Sequence, residues 1–294
     1  MLFGGSDEPS HEASIAQLVE ANPDIASRDL FYGVGGRANA PRTDVAYKFL
    51  KRDETGASTN FEVEDPAGRK WDAKFGVETH TEVAVSRLLW AIGFHQPPVY
   101  YVREWKIAGG EEAGVQKEAR FRLEQPSWKK EGEWQWKDNP FVGKRELRGL
   151  VVMMAMLNSW DLKTSNNKIY EVRGRPEKRL YVVKDLGESL GSSVKVFLGS
   201  QDHLADFQKE GFIREVKDGR VDLYFKPVIL NWGVGDDITV DDVLWTCRRL
   251  AKLSDKQWHD AFRSAGYDER ETAAYVDKLK HKVREGLALE GKQA

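Results

Sequence analysis

Six consecutive residues, Asp161-Leu162-Lys163-Thr164-Ser165-Asn166, set a carboxylate, an ammonium and a carboxamide within one short stretch. A second carboxylate follows at the end of the next strand-like run, in Asp185-Leu186-Gly187. Carboxylate and amide oxygens are the hard donors that hold a divalent cation beside phosphates. A carboxylate can also orient an attacking hydroxyl, and a lysine can steady a moving phosphoryl group. Such a set suits phosphoryl or nucleotidyl transfer from ATP. It says much less about the acceptor. Asp and Asn after a helix are also common turn formers and caps, so the surrounding elements have to decide.

Leu147 to Leu157 (LRGLVVMMAML) is apolar on nearly every side, which predicts a helix buried all round. It leads straight into the polar Asp-Lys-Asn loop. Two short strands are expected next, Lys168–Val172 and Leu180–Lys184, joined by an exposed hairpin turn around Gly174 and Pro176. Upstream, Val45–Leu50, Phe61–Glu64 and Trp71–Phe75 alternate between turn clusters, which predicts a three-stranded antiparallel meander. The first connection of that meander, Thr55-Gly56-Ala57-Ser58-Thr59, is built of small residues whose backbone N–H groups could approach phosphate oxygens. Lys74 lies in the third strand, on the face of Asp72 and opposite Ala73 and Phe75. A helix over Thr81–Ile92 follows, stopped by Gly93 and Pro97-Pro98. Glu82 on this helix is the candidate partner of Lys74, with Glu78 as substitute. The same Glu82 also fits a capping box with Thr79.

Val99–Lys106 and Val115–Leu123 complete an expected set of five strands. The run after Glu124 is long and irregular, and a base would lie against its start. The tryptophans clustered between Trp128 and Trp136 read as core or platform packing. Phe31–Arg42 (FYGVGGRANAPR) has the glycines of a phosphate-cradling loop, but no strand precedes it and no helix follows it. The last third is helical by its start signals, Thr239-x-x-Asp242, Ser254-x-x-Gln257 and Asp268-x-x-Glu271, with Val276, Leu279 and Val283 on one apolar face.

At 294 residues the chain can bury a substantial core in one large domain or two lobes. Its net charge of −2 offers no global basic field for nucleic acid or anionic membrane, so neither partner is expected. No apolar stretch approaches the roughly 20 residues of a membrane span. The first residues, polar to about position 27 and expected to be loosely held, lack the basic start and apolar run of a signal peptide, which makes cytoplasm the default compartment. A single cysteine, Cys247, forbids an intrachain disulfide, and the scattered histidines make a dedicated metal cluster improbable.

In their order these parts resemble the protein-kinase-like superfamily across roughly residues 45 to 290: DLKxxN for its catalytic loop, Asp-Leu-Gly where typical members carry Asp-Phe-Gly, and a strand lysine before a glutamate-bearing helix. The chain looks closest to the atypical branches, HipA-type and phosphoinositide-kinase-like, and is similar to a set of bacterial proteins sharing NxWDLKxxNN…DLG. Ser159-Trp160 in place of His-Arg, a first loop that is not GxGxxG, and no Ala-Pro-Glu anchor set it apart from typical eukaryotic kinases. The resemblance implies an α+β, bilobal protein-kinase-like fold. Residues 1–44 would be an N-terminal extension, 45–125 an antiparallel five-stranded N-lobe and 126–294 a mainly helical C-lobe. It implies Asp161 as catalytic base and Lys163 as the γ-phosphate contact. Asn166 and Asp185 would be ligands of Mg²⁺ or Mn²⁺. Lys74, paired with Glu82, would anchor the phosphates, and Gly56, Ser58 and Thr59 would cover them. The expected activity is ATP-Mg²⁺-dependent transfer of the γ-phosphoryl group to an unknown hydroxyl-bearing acceptor. AMP transfer on the same fold and a non-catalytic nucleotide- or protein-binding module remain alternatives.

Overall fold

Alternating side chains between Ala46 and Lys74 do form an antiparallel meander in the computed structural model, which describes residues 15–53, 58–193, 199–227 and 233–291. After an N-terminal strand β1 (Ile15–Gln17) come β2 (Ala46–Asp53), β3 (Asn60–Glu64) and β4 (Lys70–Lys74). Helix α1 (Glu78–Ala91) follows, then β5 (Val99–Val102), β6 (Trp105–Ala108), β7 (Gly114–Gln116) and β8 (Ala119–Leu123). The sheet has seven described strands, in the order β5-β8-β4-β3-β2-β6-β7, and not the expected five. Both expected strands beyond α1 break, at Arg103-Glu104 and at Lys117-Glu118, and the chain crosses to the far edge to pair β6 in parallel with β2. Trp105 accounts for the break. It is buried, its indole N–H donates to the Lys117 carbonyl at 3.0 Å, and its ring meets Phe121 edge-on at 4.8 Å. Tyr47, Trp71 and Phe121 complete this aromatic core on one face of the sheet.

Period-two alternation sends the intervening residues to the other face. On β4 that face carries Asp72 and Lys74, and on β8 Arg120 and Arg122. The antiparallel register sets Asp72 opposite Arg122 and Lys74 opposite Arg120. Asp72 and Arg122 attract across the strand pair, whereas Lys74 and Arg120 are like charges. This charged face therefore needs the carboxylate that α1 brings, Glu82, which lies 3.7 Å from Lys74 and 3.0 Å from Arg120.

The rest of the chain supplies β9 (Trp128–Gly132), α2 (Arg145–Leu157), β10 (Asn167–Val172), β11 (Arg175–Val183), α3 (Leu204–Lys209), β12 (Ile213–Lys217) and β13 (Arg220–Leu223). Three helices close it: α4 (Val240–Leu250), α5 (Asp255–Arg263) and α6 (Glu269–Leu287). Strand β9 lies inside the run read as irregular; it pairs with β10 in a sheet ordered β1-β11-β10-β9. Its sequence, Trp-Lys-Lys-Glu-Gly, has no alternation to reveal it, because it is an edge strand with mostly exposed side chains. From Ile15 on, the N-terminal segment is likewise docked where loose packing was expected, and the residues before it lie outside the described ones. β1 pairs in parallel with β11, and Leu18, Ile25 and Leu30 are buried. The Gln257 amide donates to the carbonyls of Ile25 at 2.8 Å and Arg28 at 2.9 Å.

Helix α2 is buried from Gly149 to Leu157 and packs against α4 and α6. Gly149 permits this, since an added Cβ would overlap the Trp245 ring. The three start signals of the C-terminal helices all become capping boxes, at Thr239/Asp242, Ser254/Gln257 and Asp268/Glu271. Among the described residues no helix is long and apolar enough to cross a membrane.

Candidate active site

Helix α1 begins three residues earlier than the sequence suggested, at Glu78, and this decides where both glutamates point. Val77 takes the cap position without a side-chain cap, and the Thr79 hydroxyl donates to the Gly76 carbonyl at 2.7 Å. The Thr79–Glu82 capping box therefore does not form. Both candidate partners instead reach Lys74: its ammonium donates to Glu78 and lies 3.7 Å from Glu82. Glu82 is further held by Arg120 at 3.0 Å and Arg122 at 3.3 Å. Arg122 also grips Asp72 at 2.6 Å and reaches Asp185 at 3.5 Å. Burial alone would push the Lys74 ammonium down, but Glu82 and Glu78 outweigh it and hold its pKa above the ordinary value. Burial also opposes ionisation of Asp185, yet Arg122 and Lys74 win and hold it down to about 2.

The Asp-Lys-Asn loop starts where α2 ends. Asn158 takes a left-handed turn, φ 51°, and its side-chain amide donates to the Gly191 carbonyl at 2.6 Å. Asp161 Oδ2 accepts from Lys163 Nζ at 2.9 Å and from Asn166 Nδ2 at 3.3 Å. Asn166 Nδ2 donates again, to the Asp161 carbonyl, at 3.0 Å. With its nitrogen committed, the amide oxygen of Asn166 is the atom left for a cation. Asp161 Oδ1 is buried and has no hydrogen-bond partner among the described residues. An oxygen so placed costs free energy until something meets it.

Two backbone bonds bring the second carboxylate to this loop. Lys184 N donates to Asn166 O at 2.8 Å, and Trp160 N donates to Glu188 O at 3.3 Å. Asp185 sits between those ties in the left-handed region, φ 50°, unusual for a residue other than glycine. Gly187 lets α1 close on the segment. An added Cβ there would overlap the Glu78 side chain, and the Thr81 hydroxyl donates to the Gly187 carbonyl at 2.8 Å. Lys74, Asp161, Lys163, Asn166 and Asp185 are thus laced into one neighbourhood through α1, Gly187 and β11.

The remaining candidates divide. Thr59 accepts a bond from Phe75 N at 3.1 Å, and Ser58 lies beside Gly76, so both border the strand end that carries Lys74. Gly56, with Thr55 and Ala57, lies outside the described residues. The glycines of Phe31–Arg42 are taken up by packing: Gly33 meets Arg87, and Tyr100 Oη donates to the Gly36 carbonyl at 3.0 Å.

Sequence reasoning missed four groups. Arg120 and Arg122 were signalled by the alternation of Ala-Arg-Phe-Arg-Leu, but their partners depend on register. Lys184 and Glu188 flank Asp185-Leu186-Gly187. Burial, with Arg122 beside it, pushes the Lys184 ammonium down to about 7. Burial, with Glu78 and Asp161 nearby, pushes the Glu188 carboxyl up to about 7, and its Oε2 also lacks a hydrogen-bond partner among the described residues. Among the described residues no three His, Cys, Asp or Glu side chains converge as a ready-made metal cage. One carboxylate and one amide, Asp185 and Asn166, still fit Mg²⁺, which is commonly bound through one or two protein oxygens plus substrate phosphates. A cavity of about 490 Å³ opens beside the site, against Asp72, Arg122, Leu123, Gln125, Tyr170 and Lys184.

No protein-family model matches the chain, and no curated protein sequence matches it. Solved structures do. The Golgi casein kinase is 11% identical, with a TM-score of 0.43 over 86% of this chain and 76% of that one. The Helicobacter pylori proinflammatory kinase CtkA is 10% identical, with a TM-score of 0.53 over 86% of this chain and 98% of that one. The CtkA likeness, at that identity, shows the fold: this chain has the protein-kinase-like α+β architecture.

Proposed function

We propose that the protein is an ATP-Mg²⁺-dependent phosphotransferase that moves a γ-phosphoryl group to a hydroxyl. The observation that carries this reading is the lacing of two charged clusters into one neighbourhood. Lys74 is held by Glu78 and Glu82, and the Asp161–Lys163–Asn166 loop is tied to the strand end before Asp185. Asp161 accepts the proton of the attacking hydroxyl through a carboxylate already fixed by Asn166. Lys163, whose side chain is 59% exposed, is free to turn from Asp161 toward the transferred group. Asn166 and Asp185 would hold Mg²⁺, which supplies charge neutralisation on the phosphates when bound. Lys74, kept charged by its two carboxylates, binds the phosphates that stay with the leaving nucleotide. Ser58 and Thr59 cover them with backbone N–H groups. In the balanced step the acceptor oxygen bonds to the γ-phosphorus, the bond to the β-phosphate oxygen breaks, and ADP leaves. Most of the rate comes from positioning and fixed charge.

The test uses ATP labelled separately at the α- and γ-phosphates, with Mg²⁺ and candidate acceptors bearing protein, lipid-head-group or small-molecule hydroxyls. Transfer of the γ label, abolished by Asp161→Ala, supports the reading. Transfer of the α label would replace it with nucleotidyl transfer. Absence of any Mg²⁺-dependent ATP binding would leave a non-catalytic module.

A further inference from the structure

The cavity beside the site carries more positive charge than the proposed reaction uses. Its volume of about 490 Å³ falls in the range of small-molecule sites. Trp128 and Tyr170 form an aromatic wall, with ring centroids 5.1 Å apart. Lys70, Lys130, Arg173 and Lys184 also line it. The carboxylates beside them are mostly committed: Asp72 to Arg122 at 2.6 Å and Glu62 to Lys51 at 2.8 Å. Lys129 is similarly taken by Glu171 at 3.7 Å. Among the described residues of the lining, Glu124 is the carboxylate left to face Lys70, Lys130 and Arg173. Lys74 and Lys163, which the reaction assigns to the phosphates, do not line this cavity. A plain nucleoside triphosphate would therefore leave the cavity's cations unmatched.

We propose that this cavity is a second phosphate subsite, which takes a phosphate carried on the ribose end of the nucleotide. Lys70, Lys130 and Arg173 hold that phosphate, and the base lies against Trp128 and Tyr170. The nucleotide that matches both subsites carries a phosphate on its ribose as well as at the 5′ position, and ATP binds through its 5′ phosphates alone. This inference rests on the reading of the cleft as a nucleotide site. Lysine and arginine make charge-assisted bonds to phosphate, and a base stacks on an aromatic wall whatever its hydrogen-bonding edge.

Binding is measured without metal and without turnover, by quenching of tryptophan fluorescence. The probes are inorganic phosphate, adenosine 5′-monophosphate, and adenosine 3′,5′- and 2′,5′-bisphosphate. One bisphosphate should bind roughly tenfold more tightly than the monophosphate, equivalent to about 1.4 kcal/mol. That advantage should vanish in Lys130→Ala/Arg173→Ala, two exposed positions, with the monophosphate affinity unchanged. Equal affinity of all three nucleotides, or an advantage that survives the double variant, overturns the proposal. So does inorganic phosphate binding as tightly as the bisphosphates, which would assign the site to a free anion. Asp161→Ala should keep the preference. If the native protein showed the preference but transferred no phosphoryl group to any acceptor, the catalytic reading alone would fall.

Discussion

Among the described residues Lys74 and Lys282 are the most deeply buried lysines, and the protein treats them in opposite ways. Lys74, on β4, faces full negative charges, Glu78 and Glu82, and its pKa is raised although burial alone would lower it. Lys282, on α6, is fully buried among dipoles. Its ammonium donates to the Met156 carbonyl at 2.8 Å and to Asn158 Oδ1 at 3.1 Å, and lies 4.5 Å from the Phe207 ring centre. Burial pushes it down to about 7, with Lys278 adding a smaller push. Hydrogen bonds to neutral carbonyls satisfy the donors but do not offset the loss of hydration of a full charge. The contrast separates a cation kept charged by carboxylates from one that staples the end of α2 to the loop it feeds.

The two give opposite pH dependences of stability. Lys74, raised above 10.5, contributes stability that is whole below that value and is lost as pH rises through its folded pKa. Lys282 loses its proton in the folded state at about 7, while the unfolded chain keeps it to about 10.5. Between those values the unfolded chain binds more protons, so the contribution of Lys282 grows as pH rises across that window.

Glu82→Ala should strike hardest. It strips a buried carboxylate from Arg120, Arg122 and Lys74 together, at a cost of about 3–5 kcal/mol in denaturant unfolding. A cost below about 1 kcal/mol would mean that the network is far better solvated than its burial indicates. Lys74→Met should leave the fold standing, because Glu82 retains both arginines, while turnover falls about 10²–10³-fold; near-normal turnover would remove Lys74 from the site. Gly187→Ala should cost about 1–3 kcal/mol by forcing Glu78 away. Its effect should be milder in a Glu78→Ala background, since the carboxylate and its stem are what the new methyl meets. Lys282→Met should show the smallest effect at neutral pH. Its signature is a flatter stability–pH curve between pH 7 and 10, read by unfolding at several pH values, together with a lower kcat at unchanged nucleotide KM. If the slope of the variant matched that of the native protein, Lys282 would not titrate as described.

The same contrast explains how much was legible beforehand. The loop from Asp161 to Asn166, the apolar helix before it and the three capping boxes are written within a few residues of each other, so type and spacing suffice. Glu82 lies 3.7 Å from Lys74, while Glu78, offered from the sequence only as its substitute, takes the hydrogen bond, because the start of α1 depends on how the strand before it docks. Arg122 could be seen as a polar-face residue, whereas its grip on Asp72, Glu82 and Asp185 depends on strand register and on a segment far along the chain. Strands β1 and β9 were missed because both lie at sheet edges, where apolar alternation is weak and a partner strand supplies the order. The break of β5 from β6 and of β7 from β8 follows from where Trp105 finds room, which no local pattern reveals.

By itself the sequence determined the Asp161–Asn166 loop, the helix that leads into it and the caps that start the last three helices, since these depend on interactions spanning a handful of residues. Tertiary structure alone decided which carboxylates hold Lys74, which cations line the cavity, and that Lys282 is buried among carbonyls. Those are long-range matters. Coulomb energy and dehydration depend on what surrounds a charge in space, and neighbours in space are set by the packing of distant segments.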